Sequence, residues 1–84
     1  MGEPQLLREV QSLQARGFEV EITGSVLYGR FPGYICTVRG EPGVLEIEFG
    51  ATATAARLYC DGETIENVTA SDLVSKVTAL LDDA

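Results

Sequence analysis

The apolar residues of this 84-residue chain recur with helical spacing at its two ends and with strand spacing between them. Near the start, apolar positions three or four residues apart predict a helix over 4–16. Its apolar residues are Leu6, Leu7, Val10 and Leu13. Pro4 suits the first position of a helix. Gly17 followed by Phe18 is typical of a Schellman ending, in which the apolar residue packs back on the helix.

The centre of the chain alternates apolar and polar residues, the pattern of strands that are covered on one face only. The most regular strand covers 18–28, with its apolar residues at even positions, and Gly24 within it is expected to mark a bulge or a bend. The next three predicted strands cover 34–39, 44–49 and 52–60. Residues 51–56 are rich in alanine, a weak strand former, so a helix there stays open as an alternative.

Turn signals separate these strands. Asp61-Gly62 predicts a two-residue type I′ hairpin that leads into a short edge strand over 63–67. The triplets 31–33 and 41–43 each end in Pro-Gly, which predicts type II turns with the glycine at positive φ. We therefore expect a strand between two tight turns.

Two aromatic residues flank the first of these turns. Tyr28 and Tyr34 are expected to form a cross-strand pair that closes the loop.

A second helix is predicted over 70–82. Thr69 is a suitable N-cap with Asp72 three residues later, and Val68 can pack on Leu73. Two amphipathic helices are then available to cover one face of a sheet of four to five strands. The sequence therefore predicts an α+β fold, a two-layer sandwich in which an antiparallel meander carries both helices on one face, as one domain over 1–84.

A meander fixes which polar residues share the uncovered face of the sheet. Alternation predicts that this face carries Glu19, Glu21, Thr37, Arg39, Glu46, Glu48, Arg57 and Tyr59. One interpretation is a solvated surface of cross-strand ion pairs, each worth about 0.2–1 kcal/mol. The other is an interaction surface, because Arg and Tyr are enriched at interface centres.

The same topology separates the two cysteines. Cys36 and Cys60 fall on the second and fourth strands, two strand spacings or about 9.5 Å apart. Since a disulfide needs Cα atoms within about 7 Å, we expect two free, mostly buried thiols.

The charge balance restricts the classes of partner that the protein can bind. Thirteen acidic residues against six basic ones give a net charge of −7, and residues 58–84 carry six acids against Lys76 alone. Direct nucleic-acid binding and binding to an anionic membrane are therefore disfavoured. No apolar run approaches the length of a membrane span, so a soluble, cytoplasmic protein is expected.

The residues that most catalytic mechanisms require are missing from this sequence. The chain has no histidine, and its two cysteines are far apart, which excludes His-activated nucleophiles and the usual zinc sites. The phosphate-binding glycine motifs are also missing. Carboxylate pairs occur at Glu19/Glu21 and Glu46/Glu48, but on an exposed face that would not enclose a substrate. We expect no enzyme, no cofactor and no bound metal.

What remains is a small acidic, non-catalytic protein-interaction module that docks on a larger protein partner, as an accessory, chaperone, adaptor or inhibitor. The candidate binding residues are Arg30, Phe31, Arg39, Arg57 and Tyr59. Two alternatives stay open: an acidic mimic of nucleic acid that inhibits a basic protein, and a small enzyme or ligand-binding domain. A homodimer would supplement a core of this size.

Overall fold

The computed structural model describes residues 4–27, 29–41 and 43–81. In chain order the elements are α1 (Gln5–Ala15), β1 (Glu19–Leu27), β2 (Phe31–Arg39), β3 (Val44–Gly50), β4 (Ala55–Cys60), β5 (Glu63–Thr69) and α2 (Ala70–Leu81). The strands form one antiparallel sheet in the order β1-β2-β3-β4-β5. The predicted helix–meander–helix architecture is confirmed, with all five strands present.

The end of α1 follows the predicted Schellman pattern. Gly17 has φ of 100° and its N–H donates to the Gln14 carbonyl at 3.1 Å, while the Phe18 N–H donates to the Leu13 carbonyl at 3.2 Å. Glycine suits this position because it has no Cβ to clash at positive φ. Pro4 precedes the first helical residue and caps the helix with its carbonyl rather than occupying the first turn.

The core lies between the helices and the face of the sheet formed mainly by even positions. Ile22 is opposite Cys36, Cys36 is opposite Ile47, and Ile47 is opposite Leu58. The fully enclosed residues come from both helices and the central strands: Leu6, Val10, Leu13, Cys36, Val38, Leu45, Ile47, Leu58, Leu73 and Val77. The strict alternation of β1 and β3 therefore predicts the core face correctly.

The first hairpin turns earlier than the Pro-Gly signal predicts. Residues 31–33 belong to β2, Leu27 is opposite Phe31, and Gly29 has φ of 69°. Pro32 is tolerated in the strand because its carbonyl points to the β3 side, where it accepts the Ala51 N–H at 3.0 Å. Its missing N–H lies beyond Gly33↔Gly50, the last β2–β3 residue pair, so no hydrogen bond between paired residues is lost.

The prediction of a cross-strand Tyr28–Tyr34 pair is wrong in its register. Tyr28 lies outside the described residues, whereas Tyr34 is opposite Gly24 and packs on Phe49 with ring centroids 5.3 Å apart. Gly24 itself sits in an unbroken register, so there is no bulge at this glycine.

Two further turns also differ from the prediction. The Gly40 N–H donates to the Gly43 carbonyl at 2.9 Å, so the β2–β3 hairpin closes at these two residues, and Gly43 is not at positive φ. Residues 51–54 form a turn, neither the strand nor the helix considered above, and β4 starts at Ala55. At these turns the pairing of the neighbouring strands determines the backbone conformation more strongly than the local Pro-Gly and alanine-rich sequences do.

The β4–β5 hairpin has the predicted turn. Asp61 and Gly62 have φ of 52° and 81°, as a type I′ turn requires. β5 is longer than predicted, and its register shifts between Leu58↔Ile65 and Ala56↔Val68, so β5 carries one extra residue. Asn67 has φ of 61° at this bulge. Because of the bulge, Val68 faces the core although it lies three residues after the core-facing Ile65.

The predicted start of α2 is confirmed, and its end is Leu81 within the described residues. The Thr69 hydroxyl donates to the Asp72 carboxylate at 3.3 Å, so these two residues meet at the helix start as expected.

Candidate functional site

The sheet face opposite the helices is called the open face. By alternation and register it carries Glu19, Glu21, Phe31, Ile35, Thr37, Arg39, Val44, Glu46, Glu48, Arg57, Tyr59, Thr64 and Glu66. All eight residues predicted for this face are on it. Four of the five candidate binding residues lie here, and the fifth, Arg30, is exposed in the turn at one end of β2.

Arg57 is held in a polar network at one side of the open face. Its Nη1 donates to the Tyr59 hydroxyl at 3.3 Å, and that hydroxyl donates to Oε1 of Glu48 at 3.1 Å. The guanidinium also lies 4.0 Å from the Glu48 carboxylate and 3.7 Å from that of Glu66. Register explains the cluster, because Arg57 is directly opposite Glu48 and the β5 bulge begins beside it.

Arg39 has a different environment. It is opposite Glu19 on β1 and Val44 on β3, and its side chain is exposed. Among the residues that the structure describes, no carboxylate lies within ion-pair distance of Arg39. The cross-strand charge pairing predicted for the whole face is therefore found around Arg57 and not around Arg39.

The open face also carries exposed apolar residues. Phe31 is 55% exposed at the start of β2, and Val44 is 50% exposed opposite Arg39 at the other end of β2. Ile35 lies half-buried on β2 between these two positions. Val44 is not among the residues predicted for this face from the sequence. The signal was present, because two adjacent apolar residues of one strand, Val44 and Leu45, cannot both face the core.

A third exposed apolar residue lies on the other side of the sheet. Val26 is 63% exposed although it has the parity of the core-facing residues. An added Cβ at Gly24, two residues earlier, would meet no atom within 4 Å. The core therefore does not extend over this half of β1.

Neither cysteine forms a disulfide, as predicted. Cys36 is enclosed in the core, and burial raises the pKa of its thiol to about 12. Cys60 is half-buried rather than enclosed, and the pKa of its thiol is raised by burial and by the carboxylates of Asp61 and Glu63. A raised pKa disfavours the nucleophilic thiolate at both positions.

Three depressions on the described part of the surface are open rather than enclosed. One of about 530 Å³ lies along the first half of β1, between Gln14, Glu19, Glu21 and Arg39. Another of about 550 Å³ lies between Arg16 and α2, and a third of about 160 Å³ lies beside Arg57.

No group of three potential ligand residues that could hold a metal ion occurs within the described ranges. No helix in the described part of the chain is long and apolar enough to cross a membrane.

Comparison of the chain with protein-family models, with curated proteins and with solved structures gives no match.

Proposed function

We propose that this protein is a small acidic, non-catalytic interaction module that docks on a larger protein through its open face. The observation that carries the proposal is that two exposed apolar residues, Phe31 near one end of the β2–β3 pair and Val44 near the other, lie on the face that no helix covers. Arg39 lies on the same face and makes no ion pair within the described residues. Exposed apolar and aromatic groups beside arginine are the composition of interface centres.

The charges of the open face indicate the chemistry of the partner. Glu19, Glu21 and Glu46 are exposed on this face, and the described residues offer them no ion pair. A complementary surface would present apolar contacts for Phe31 and Val44 and basic residues opposite these carboxylates. We propose that the interaction takes place in the cytoplasm, and the two free thiols support a reducing compartment.

The test is affinity capture from the native source with three forms of the protein. The wild type is compared with a Phe31→Ser/Val44→Ser double variant and with Phe31→Leu/Val44→Ile, a control that keeps both side chains apolar. We expect the wild type and the control to retain the same partner and the double variant to lose it. Equal retention by all three forms would contradict a role for the open face.

The acidic mimic of nucleic acid is the second candidate, and it is favoured by the exposed carboxylates of Glu19, Glu21 and Glu46, which have no ion pair among the described residues. Replacing all three by Gln separates the two functions. A mimic would lose its partner in this variant and, in the wild type, at raised salt, since its affinity comes from charge. Docking through Phe31 and Val44 would survive both changes with modest loss.

A further inference from the structure

The two edges of the sheet are protected very differently. β5, one edge, is broken by the bulge at Asn67 and carries the exposed acids Glu63 and Glu66. Bulges and charges of this kind prevent an edge from pairing with another strand. β1, the other edge, is nine residues long and keeps one unbroken register with β2 from Glu19 to Leu27.

The backbone of β1 presents hydrogen-bonding groups at its outer side. The Gln14 side chain donates to the Val20 carbonyl at 3.4 Å, which shows that this carbonyl points away from β2. In an antiparallel strand every second residue shares that direction, so Ile22, Gly24 and Val26 also present their N–H and C=O groups outwards. One long hydrogen bond from an exposed glutamine is a weak cover for the edge.

The charges of β1 are confined to one half of the strand. Glu19 and Glu21 lie in its first three positions, and residues 22–27 carry no charge. If two copies of β1 pair antiparallel about the midpoint Thr23, the charged half of each copy faces the uncharged half of the other. A centre at Val20 or Glu21 would instead oppose like charges, which is destabilising.

We propose that β1 pairs with β1 of a second copy of this chain, antiparallel about Thr23, so that one continuous sheet crosses both subunits. Val20 then exchanges backbone hydrogen bonds with Val26 of the partner subunit, and Ile22 does so with Gly24 of the partner subunit. The exposed Val26 gains an apolar neighbour across the seam.

Charge complementarity supports this register at its two ends. Glu19 is opposite Leu27 of the partner subunit, the last strand residue before the exposed turn that contains Arg30. Each turn therefore brings a cation to the end of the strand where the other subunit carries Glu19 and Glu21. The open depression along Glu19 and Glu21 provides room for that turn.

The first test is the oligomeric state of the full chain by analytical ultracentrifugation. Thr23 lies at the proposed twofold axis, so Thr23→Glu opposes two carboxylates there, while Thr23→Gln is nearly the same size without the charge. We expect the wild type and Thr23→Gln to be dimers and the dissociation constant of Thr23→Glu to rise at least about tenfold, because like charges opposed across an interface cost several kcal/mol. A monomeric wild type at all concentrations would overturn the proposal, provided that circular dichroism shows it folded.

The second test reads the register directly. In a Cys60→Ser background, Thr23→Cys places two thiols opposite each other in a non-hydrogen-bonded pair, about 4.5 Å apart at Cα, within disulfide range. In Ser25→Cys the two thiols are offset by four residues, or about 13 Å. Under mild oxidation Thr23→Cys should cross-link and Ser25→Cys should not. A dimer that cross-links neither variant, or that survives Thr23→Glu unchanged, would use another surface and refute the seam.

Discussion

Replacing each of two open-face arginines by glutamine should separate a residue that stabilises the fold from one that is available for binding. Arg57 lies within 4.0 Å of two carboxylates and hydrogen-bonds to Tyr59, whereas Arg39 makes no ion pair within the described residues. Arg57→Gln removes these interactions. Arg39→Gln removes a charge that forms no ion pair with any described side chain. We expect Arg57→Gln to lower the free energy of unfolding and Arg39→Gln to leave it unchanged.

The magnitude follows from the exposure of the groups. The Arg57 side chain is 36% exposed and its two ion pairs are at 3.7 and 4.0 Å, so each is worth about 0.2–1 kcal/mol. The Tyr59 hydrogen bond at 3.3 Å is long and adds little. The total loss should be about 1 kcal/mol, or about 4–8 °C in Tm for a domain of this size. Arg39→Gln should stay within about 0.5 kcal/mol of wild type.

Urea unfolding followed by circular dichroism measures both variants, and salt provides an internal control. At about 1 M salt the screening length falls to about 3 Å, so the loss caused by Arg57→Gln should shrink by at least half. The partner binding of the two variants should show the opposite order, with Arg39→Gln the weaker binder. Equal destabilisation by both variants, or a loss at Arg57 that is insensitive to salt, would refute the assignment of Arg57 to a structural ion-pair network.

Three further predictions concern the fold. Gly17→Ala should lower the free energy of unfolding, measured in urea, by about 1 kcal/mol, because alanine is strained at φ of 100°. Gly24→Ala has as much space around the added Cβ but no positive φ, so it should be neutral or stabilising. Equal effects of the two variants would contradict the backbone explanation. Above pH 9 the Cys36 thiol ionises in the unfolded chain, whereas in the folded protein its pKa of about 12 keeps it protonated. The free energy of unfolding should therefore fall by up to about 1.4 kcal/mol per pH unit. Cys36→Ala should remove this pH-dependent loss. Leu58→Ala should cost about 2–5 kcal/mol in the same assay, because Leu58 is fully enclosed; a cost under about 1 kcal/mol would place it outside the core.

The faces of the sheet could be predicted from the sequence because strand periodicity is a property of every residue in the strand. Each of Glu19, Glu46 and Tyr59 was assigned to the correct face from alternation alone. The ends of the strands could not be predicted in this way. Pro32 reads as a turn residue in its local sequence, but its position past the end of β3 decides that a strand can contain it. That position depends on residues 50–51, which are distant along the chain.

The candidate site illustrates the same division. Arg39 and Arg57 both occupy polar positions in alternating strands, and sequence offers no reason to distinguish them. Their difference comes from what register places beside them. Arg57 is opposite Glu48, and β5 adds Glu66 on its other side.

The spacing of Ile65 and Val68 shows why β5 can supply Glu66 in this way. Both residues face the core although they are three positions apart, which a regular strand of period two does not allow. The extra residue is absorbed where Asn67 adopts φ of 61°, a conformation that asparagine tolerates better than most residues. Burial of Val68 thus determines the bulge. The bulge lies beside Arg57, whose charge forms ion pairs within the fold. Arg39 has neighbours on both sides without such a constraint, and its charge is left to face solvent or a partner.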